Sequence, residues 1–267
     1  MLKSWHPHIL IINDLPTRAI TIITKVANFS LFRSKEQYAG TMTVCSKQQI
    51  MHPLNGKVFT ASEAAVLRDI ICNRRDVRGN RFLNRPVEDA VVQQLLDAAL
   101  YAPSVGFSQP WEFVLIRDRD IKQQVKESFA LENEKAVPAF DSEQQSPYAL
   151  LKLEGIMEAP LNIAVFYRPS TRPVLGQTSM EEVGLYSVVC AVQNIWLMAR
   201  ALNIGVGWVS ILDPEKVKRI VKAPVENKLV AYLCVGYTDG FYSQPELELL
   251  QWEKRKPGQE AVFYDSY

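Results

Sequence analysis

The stretch from residue 184 to residue 202 constrains the fold most. Leu185, Val188, Val189, Val192, Ile195, Trp196, Ala199 and Leu202 recur with a period of about 3.6 residues and no gap. A helix with that much apolar surface belongs in the centre of a domain or at a subunit interface. Around it, helical and extended patterns alternate. Thr60-Ala61-Ser62-Glu63 reads as a capping box that starts a helix running to about Arg74. A second helix follows Pro86, with Val87, Val91, Leu95 and Leu96 at helical spacing, and Pro103 stops it. Residues 122–131 and 147–157 read as further helices. Residues 112–116, 162–167, 206–211 and 229–235 read as strands, and Asp213-Pro214 opens a helix between the last two. After Gly236 the chain is rich in Pro, Glu and aromatics without periodicity. Such a tail either wraps its own core or reaches a partner subunit. One α+β domain over residues 58–267 is the economical reading.

Residues 1–57 stand apart as an N-terminal extension, either poorly ordered or upstream of the start codon that is used, with Met42 and Met51 just before the patterned region. The apolar stretch 19–32 holds Lys25 and Asn28 and is too short to span a bilayer. A secretory signal's basic start and cleavage site are lacking. Hydrophobic residues at 48%, charged residues at 22% and a net charge of +1 describe an ordinary globular chain. They argue against a nucleic-acid surface, and no membrane partner is expected. Cys45, Cys72, Cys190 and Cys234 form no C-x-x-C pair, and the last two sit in apolar runs as small core residues. A reducing cytoplasm suits them.

The histidines say more. His6, His8 and His52 all precede the first patterned helix. A Ser-His-Asp triad, a Cys-His pair or a histidine-ligated zinc therefore cannot be assembled in the main body, and no metal site is expected. Either a cofactor carries the chemistry, or carboxylate, hydroxyl and arginine groups do.

Three segments offer such groups. In Arg74-Arg75-Asp76-Val77-Arg78, an extended chain would point Arg74, Asp76 and Arg78 to one side. Two guanidiniums on one side suit a phosphate, although a solvated charge run favoured by the helix macrodipole would look the same. The segment 102–111, with Ser104, Gly106, Gln109 and Trp111 between two prolines, makes a rigid bend. It can offer amides and a hydroxyl to a planar ligand, or simply turn a helix into a strand. In residues 204–211, Gly205 and Gly207 would let the backbone approach a flat ring, and Ser210 stands in an otherwise apolar strand. That serine serves either a site or a neighbouring carbonyl.

In their order and spacing these segments resemble the nitroreductase-type flavoprotein family, over about residues 58–260. That family typically has an R-x-S-x-R phosphate motif after its first helix, an A-P-S…Q-P-W loop, a long central helix and a G-x-G strand. The resemblance implies an α+β, nitroreductase-like fold with a central mixed sheet surrounded by helices. It also implies a domain-swapped homodimer that holds two FMN molecules at its interface.

One position departs from the family: Asp76 replaces the serine of R-x-S-x-R. An acid beside a phosphate costs affinity unless its charge is used or paired. The departure resembles a narrower branch, the flavin-consuming enzymes of cobalamin biosynthesis, as do residues 102–107, 151–156, 185–194 and 205–211. That branch implies an oxygen-dependent reaction in which reduced FMN is the substrate, with O2 as co-substrate. Its products are 5,6-dimethylbenzimidazole and D-erythrose 4-phosphate. The branch's catalytic aspartate and serine carry over to Asp76, as acid or base, and to Ser210, as a hydrogen-bonding partner of the ring. FMN contacts are implied for Arg74, Arg75, Asp76, Val77, Arg78, Ser104, Gly106, Gln109, Leu153 and Ser210. Arg255 is either a further phosphate ligand or a surface charge, and residues 129–153 are implied as a lid. NAD(P)H would enter only indirectly, through flavin reduction by a separate reductase. The alternatives are a conventional FMN-dependent NAD(P)H nitro or quinone reductase, and a non-enzymatic flavin-binding module.

Overall fold

A computed structural model describes residues 55–140, 148 and 151–267. The expectations for residues 1–54, including the three histidines and Cys45, lie outside them. The chain divides into Met1–Gly56 and Lys57–Tyr267, and only the second unit is described below.

Local signals place most elements. Helix α1 (Ala61–Asn73) starts at Thr60, whose side chain accepts from the Glu63 N–H while the Glu63 carboxylate accepts from the Thr60 N–H. Both halves of the capping box are therefore made. Helix α2 spans Asp89–Leu100, strand β1 Trp111–Ile116, and α3 Arg119–Ala136, where Asp118 caps two amides. Strand β2 (Leu161–Tyr167), α4 (Val183–Ala201), β3 (Ile204–Val209), α5 (Pro214–Ile220) and β4 (Lys228–Tyr237) complete the core. A single turn, α6 (Glu246–Leu249), interrupts the tail.

The strands order β1-β2-β4-β3 and pair antiparallel throughout. The expected mixed character reduces to one isolated parallel bridge, Asp76 to Val206. Helices α2 and α4 cover one face of the sheet, while α3 and α5 pack on the other. With both faces covered, β2 is buried at every residue. Its run is therefore continuously apolar, except for Asn162, rather than alternating. Helix α4 is long and apolar enough by length and composition to cross a membrane. Here its Val188, Val192 and Ile195 are fully buried in the core shared with the sheet and α2. Each such burial stabilises the fold by roughly 1.5–3 kcal/mol relative to exposure.

Two sequence expectations fail. The helix expected over 147–157 holds at Tyr148, but residues 151–155 belong to no helix or strand and 156–158 form a turn; residues 147, 149 and 150 lie outside the described set, as does most of the 129–153 segment beyond Phe140. The cause is tertiary. The Leu153 carbonyl accepts from Arg78 and the Glu154 carbonyl accepts from the Gly79 N–H, so these carbonyls are taken by another segment. The second failure is register. Strand β3 begins at Ile204 and ends at Val209, because its ladder with β4 runs from Ile204–Tyr237 to Val209–Tyr232. Ser210 thus lies beyond the strand, in the turn that leads to the Asp213 cap.

Candidate active site

The segment after α1 is extended and alternates as its sequence suggests. Arg75, Val77 and Gly79 are buried, while Arg74, Asp76 and Arg78 are partly open. The segment runs beside β3, one of the two edge strands of the sheet. The Val77 N–H donates to the Val206 carbonyl at 3.0 Å, and Asp76 Oδ1 accepts from the Trp208 N–H at 3.2 Å. The two glycines of β3 explain the closeness. A β-carbon on Gly207 would lie 2.2 Å from the Val77 carbonyl oxygen, and one on Gly205 would lie 3.0 Å from the Val77 side chain. These glycines admit the backbone that carries Asp76, where a flat ring was expected to approach.

On the open side lies a cavity of about 670 Å³, within the range of small-molecule sites. Arg74, Asp76, Arg78, Leu153 and Arg255 line it. Arg78 is shared between the Leu153 carbonyl, at 3.0 Å, and the Asp76 carboxylate, with which it forms a close ion pair. The Arg74 guanidinium stacks 4.6 Å from the Trp196 ring centroid, which fixes it with its donors still available. Burial pushes the Asp76 carboxyl above the usual aspartate range, and the charge of Glu246 adds to this. Arg78, the Trp208 N–H and Arg74 pull it down without overcoming the burial.

Arg75 also touches the cavity wall, but its guanidinium serves the main chain. It donates to the carbonyls of Cys72, Arg74, Tyr242 and Ser243, closing the end of α1 and pinning the tail. Val77 faces β3 and is not among the cavity's lining residues. Opposite Arg78, residues 151–155 are held by Glu154, which is 2% exposed and accepts from Lys152 at 2.8 Å, from the Ile156 N–H at 2.8 Å, and from Lys126. Burial works against the Glu154 charge, but those donors outweigh it and hold the carboxyl below the usual glutamate range.

Ser104, Gly106 and Gln109 do not line this cavity. Their loop sits at the other end of α4, where the Val105 N–H donates to Ser187 Oγ at 3.1 Å. Trp196, which stacks on Arg74, is nine residues further along α4. That is roughly 13 Å along the axis at 1.5 Å per residue. The loop is built for a tight bend: Gly106 has φ of +54°, and a β-carbon there would lie 2.7 Å from the Leu175 carbonyl oxygen. The Ser104 hydroxyl accepts from the Gln109 N–H at 3.1 Å, and Trp111 is buried behind the loop at the start of β1. Ser210 is exposed, two residues beyond the Trp208 amide that holds Asp76. Sequence reasoning missed Lys152, Gln193, Glu246, Leu247 and Leu250 as cavity residues. Leu247 and Leu250 in the unpatterned tail are themselves exposed, so no periodicity marks them as cavity residues.

The cavity combines fixed guanidiniums, one carboxylate of raised basicity and an apolar rim. Such a donor set fits a ligand with a phosphate at one end and an apolar body. Comparisons with known proteins identify the family. The nitroreductase family model matches residues 71–237. A 5,6-dimethylbenzimidazole synthase of Rhodospirillum rubrum is 45% identical over 204 residues, covering 76% of this chain and 96% of that protein. Among solved structures, a BluB-like flavoprotein of Clostridium difficile 630 superposes with a TM-score of 0.55 at 20% identity, covering 75% of this chain and 99% of that one. An iodotyrosine deiodinase bound to FMN and 3-iodo-L-tyrosine gives 0.60 at 21% identity, with 75% and 100% covered.

Proposed function

The chain belongs to the nitroreductase family, and from that premise we propose that it performs the reaction of a 5,6-dimethylbenzimidazole synthase on reduced FMN and oxygen. The observation that carries this reading is Asp76: a carboxylate stands where the general family has a serine, and it opens onto the same cavity as Arg74, Arg78 and Arg255. The 45% identity with the Rhodospirillum rubrum synthase supports it. Bound reduced FMN would itself activate oxygen, which suits a body with no histidine after residue 52.

The chain's own residues then have defined tasks. Arg74 and Arg255 bind the phosphate; Arg78 contributes one edge while its other donors hold Asp76 and Leu153. The close ion pair offsets the cost of an acid beside an anion. Asp76 holds or receives a proton next to the ribityl chain, and the burial that raises its carboxyl's affinity for a proton favours that role. Ser210 hydrogen-bonds the ring. The Ser104–Gln109 loop is too far along α4 to join this cavity within one chain. A second copy supplies it, in a homodimer that shares two sites. Flavin reduction falls to a separate reductase.

The test is direct. Protein mixed with chemically reduced FMN in air should yield dimethylbenzimidazole, seen by chromatography and mass. Intact oxidised FMN as the sole product would sink the proposal. A protein that keeps its flavin and turns over NAD(P)H with nitroarenes would establish the conventional reductase instead.

A further inference from the structure

We propose that Trp196 is a specificity-determining positioning residue: its ring holds the Arg74 guanidinium at the cavity wall, so that the site selects a flavin carrying a phosphate over one without it. The inference rests on the reading of the cavity as an FMN site and goes beyond it by naming the side chain that sets the choice. Trp196 is not among the lining residues, so it acts only through its neighbours. It touches three of them. The Arg74 guanidinium lies 4.6 Å from its ring centroid, its Nε1–H donates to the Arg75 carbonyl at 3.3 Å, and its ring centroid lies 6.3 Å from that of Trp208. Trp208 in turn supplies the amide from which Asp76 accepts. One side chain of α4 therefore holds the segment that carries the site's cations from beneath.

The other cations around the cavity show what is particular to Arg74. Arg75 is committed to four carbonyls, and Arg78 to Asp76 and the Leu153 carbonyl. Lys152 is committed to Glu154 and Glu158 at 2.8 and 2.9 Å. Arg74 has the Trp196 ring as its partner and, among the described residues, makes no hydrogen bond or ion pair; unlike Arg255, it is also partly buried. A guanidinium partly removed from water with no acceptor is costly to leave empty. It is well matched to a phosphate, which can take two of its N–H groups at once. A long side chain must be ordered to make that pair, and the indole ring orders it before the ligand arrives. A flavin without the phosphate leaves the same guanidinium unpaired and gains nothing from the ring.

The test is the ratio of affinities for oxidised FMN and riboflavin, measured by fluorescence quenching on full-length, flavin-free protein. Native protein should bind FMN more tightly. Trp196→Leu should lower the FMN-to-riboflavin ratio roughly tenfold, by weakening FMN alone. Trp196→Phe keeps a ring face and should keep most of the ratio, although it too loses the bond to the Arg75 carbonyl. In an Arg74→Gln background, Trp196→Leu should leave the ratio unchanged, because the ring then has no guanidinium to hold. Should Trp196→Leu fail to fold, Trp196→Met removes the ring with an unbranched apolar side chain, and the same ratio decides. Equal weakening of both flavins, a ratio indifferent to loss of the ring, or native protein that binds both flavins alike would each overturn the proposal. The measurement involves no turnover, so absence of dimethylbenzimidazole would sink the synthase reading while the ratio still decides the role of Trp196.

Discussion

Asp76 is held from two directions, by the Trp208 amide and by Arg78, and it remains 28% exposed toward the cavity. Asp76→Asn keeps the shape and removes both the charge and the titration. The phosphate contacts of Arg74 and Arg255 survive, so FMN binding measured by fluorescence quenching should be native or tighter, while product formation falls by about 100-fold or more. Parallel loss of binding and turnover would instead make Asp76 a simple ligand. Glu154 provides a second prediction, on stability. Its carboxyl is depressed in the fold, so its contribution is complete above the ordinary glutamate value of 4.5 and is lost as pH falls through the folded value. At neutral pH, Glu154→Gln should cost about 2–3 kcal/mol in urea denaturation, the worth of charged hydrogen bonds at a buried group. The native and variant curves should converge in acid. A gap that stays constant across pH would refute the ionic origin of the effect.

Elements divide into those whose signals are local and those decided by distant partners. The capping box of α1, the Asp213-Pro214 start of α5 and the unbroken period of α4 were legible, because each depends on residues a few positions apart. So was the alternation of Arg74, Asp76 and Arg78. The non-helical path of residues 151–155 was not, because Arg78 and Gly79, more than seventy residues away, claim the carbonyls of Leu153 and Glu154. The glycines of β3 were recognised as sites of close approach, yet what approaches is the Val77 backbone. This predicts an ordering. Gly207→Ala drives a β-carbon against a main-chain carbonyl that cannot swing aside, and should cost about 3 kcal/mol. Gly205→Ala meets only the Val77 side chain and should cost about 1 kcal/mol. Equal losses in denaturant titrations would contradict the account of this edge.

At the scale of the whole molecule, the two halves of the sequence motif separate. Arg74–Arg78 packs on the later turns of α4 and the Ser104–Gln109 loop on its first turns. Nothing in a linear sequence tells whether two segments meet within one chain or across two. Exposed apolar residues accompany both: Val66, Leu67 and Ile71 on α1, and Leu100, Tyr101 and Phe107 near the loop. The proposed second copy would cover such patches. Light scattering should therefore give twice the 30.3 kDa chain mass. Mixing subunits that carry Asp76→Asn with subunits that carry Gly106→Val, after dissociation and reassembly, should restore product formation, because one site per heterodimer then has both halves native. Additive, unrestored activity would place the whole site in one chain. The central claim, that the flavin is consumed, is tested most directly by a single turnover. Protein loaded anaerobically with an equal amount of reduced FMN is exposed to air, and lost FMN is compared with dimethylbenzimidazole formed. The account predicts one dimethylbenzimidazole per FMN lost in the native protein and fully recovered FMN in Asp76→Asn; complete recovery of oxidised FMN from the native protein would contradict it.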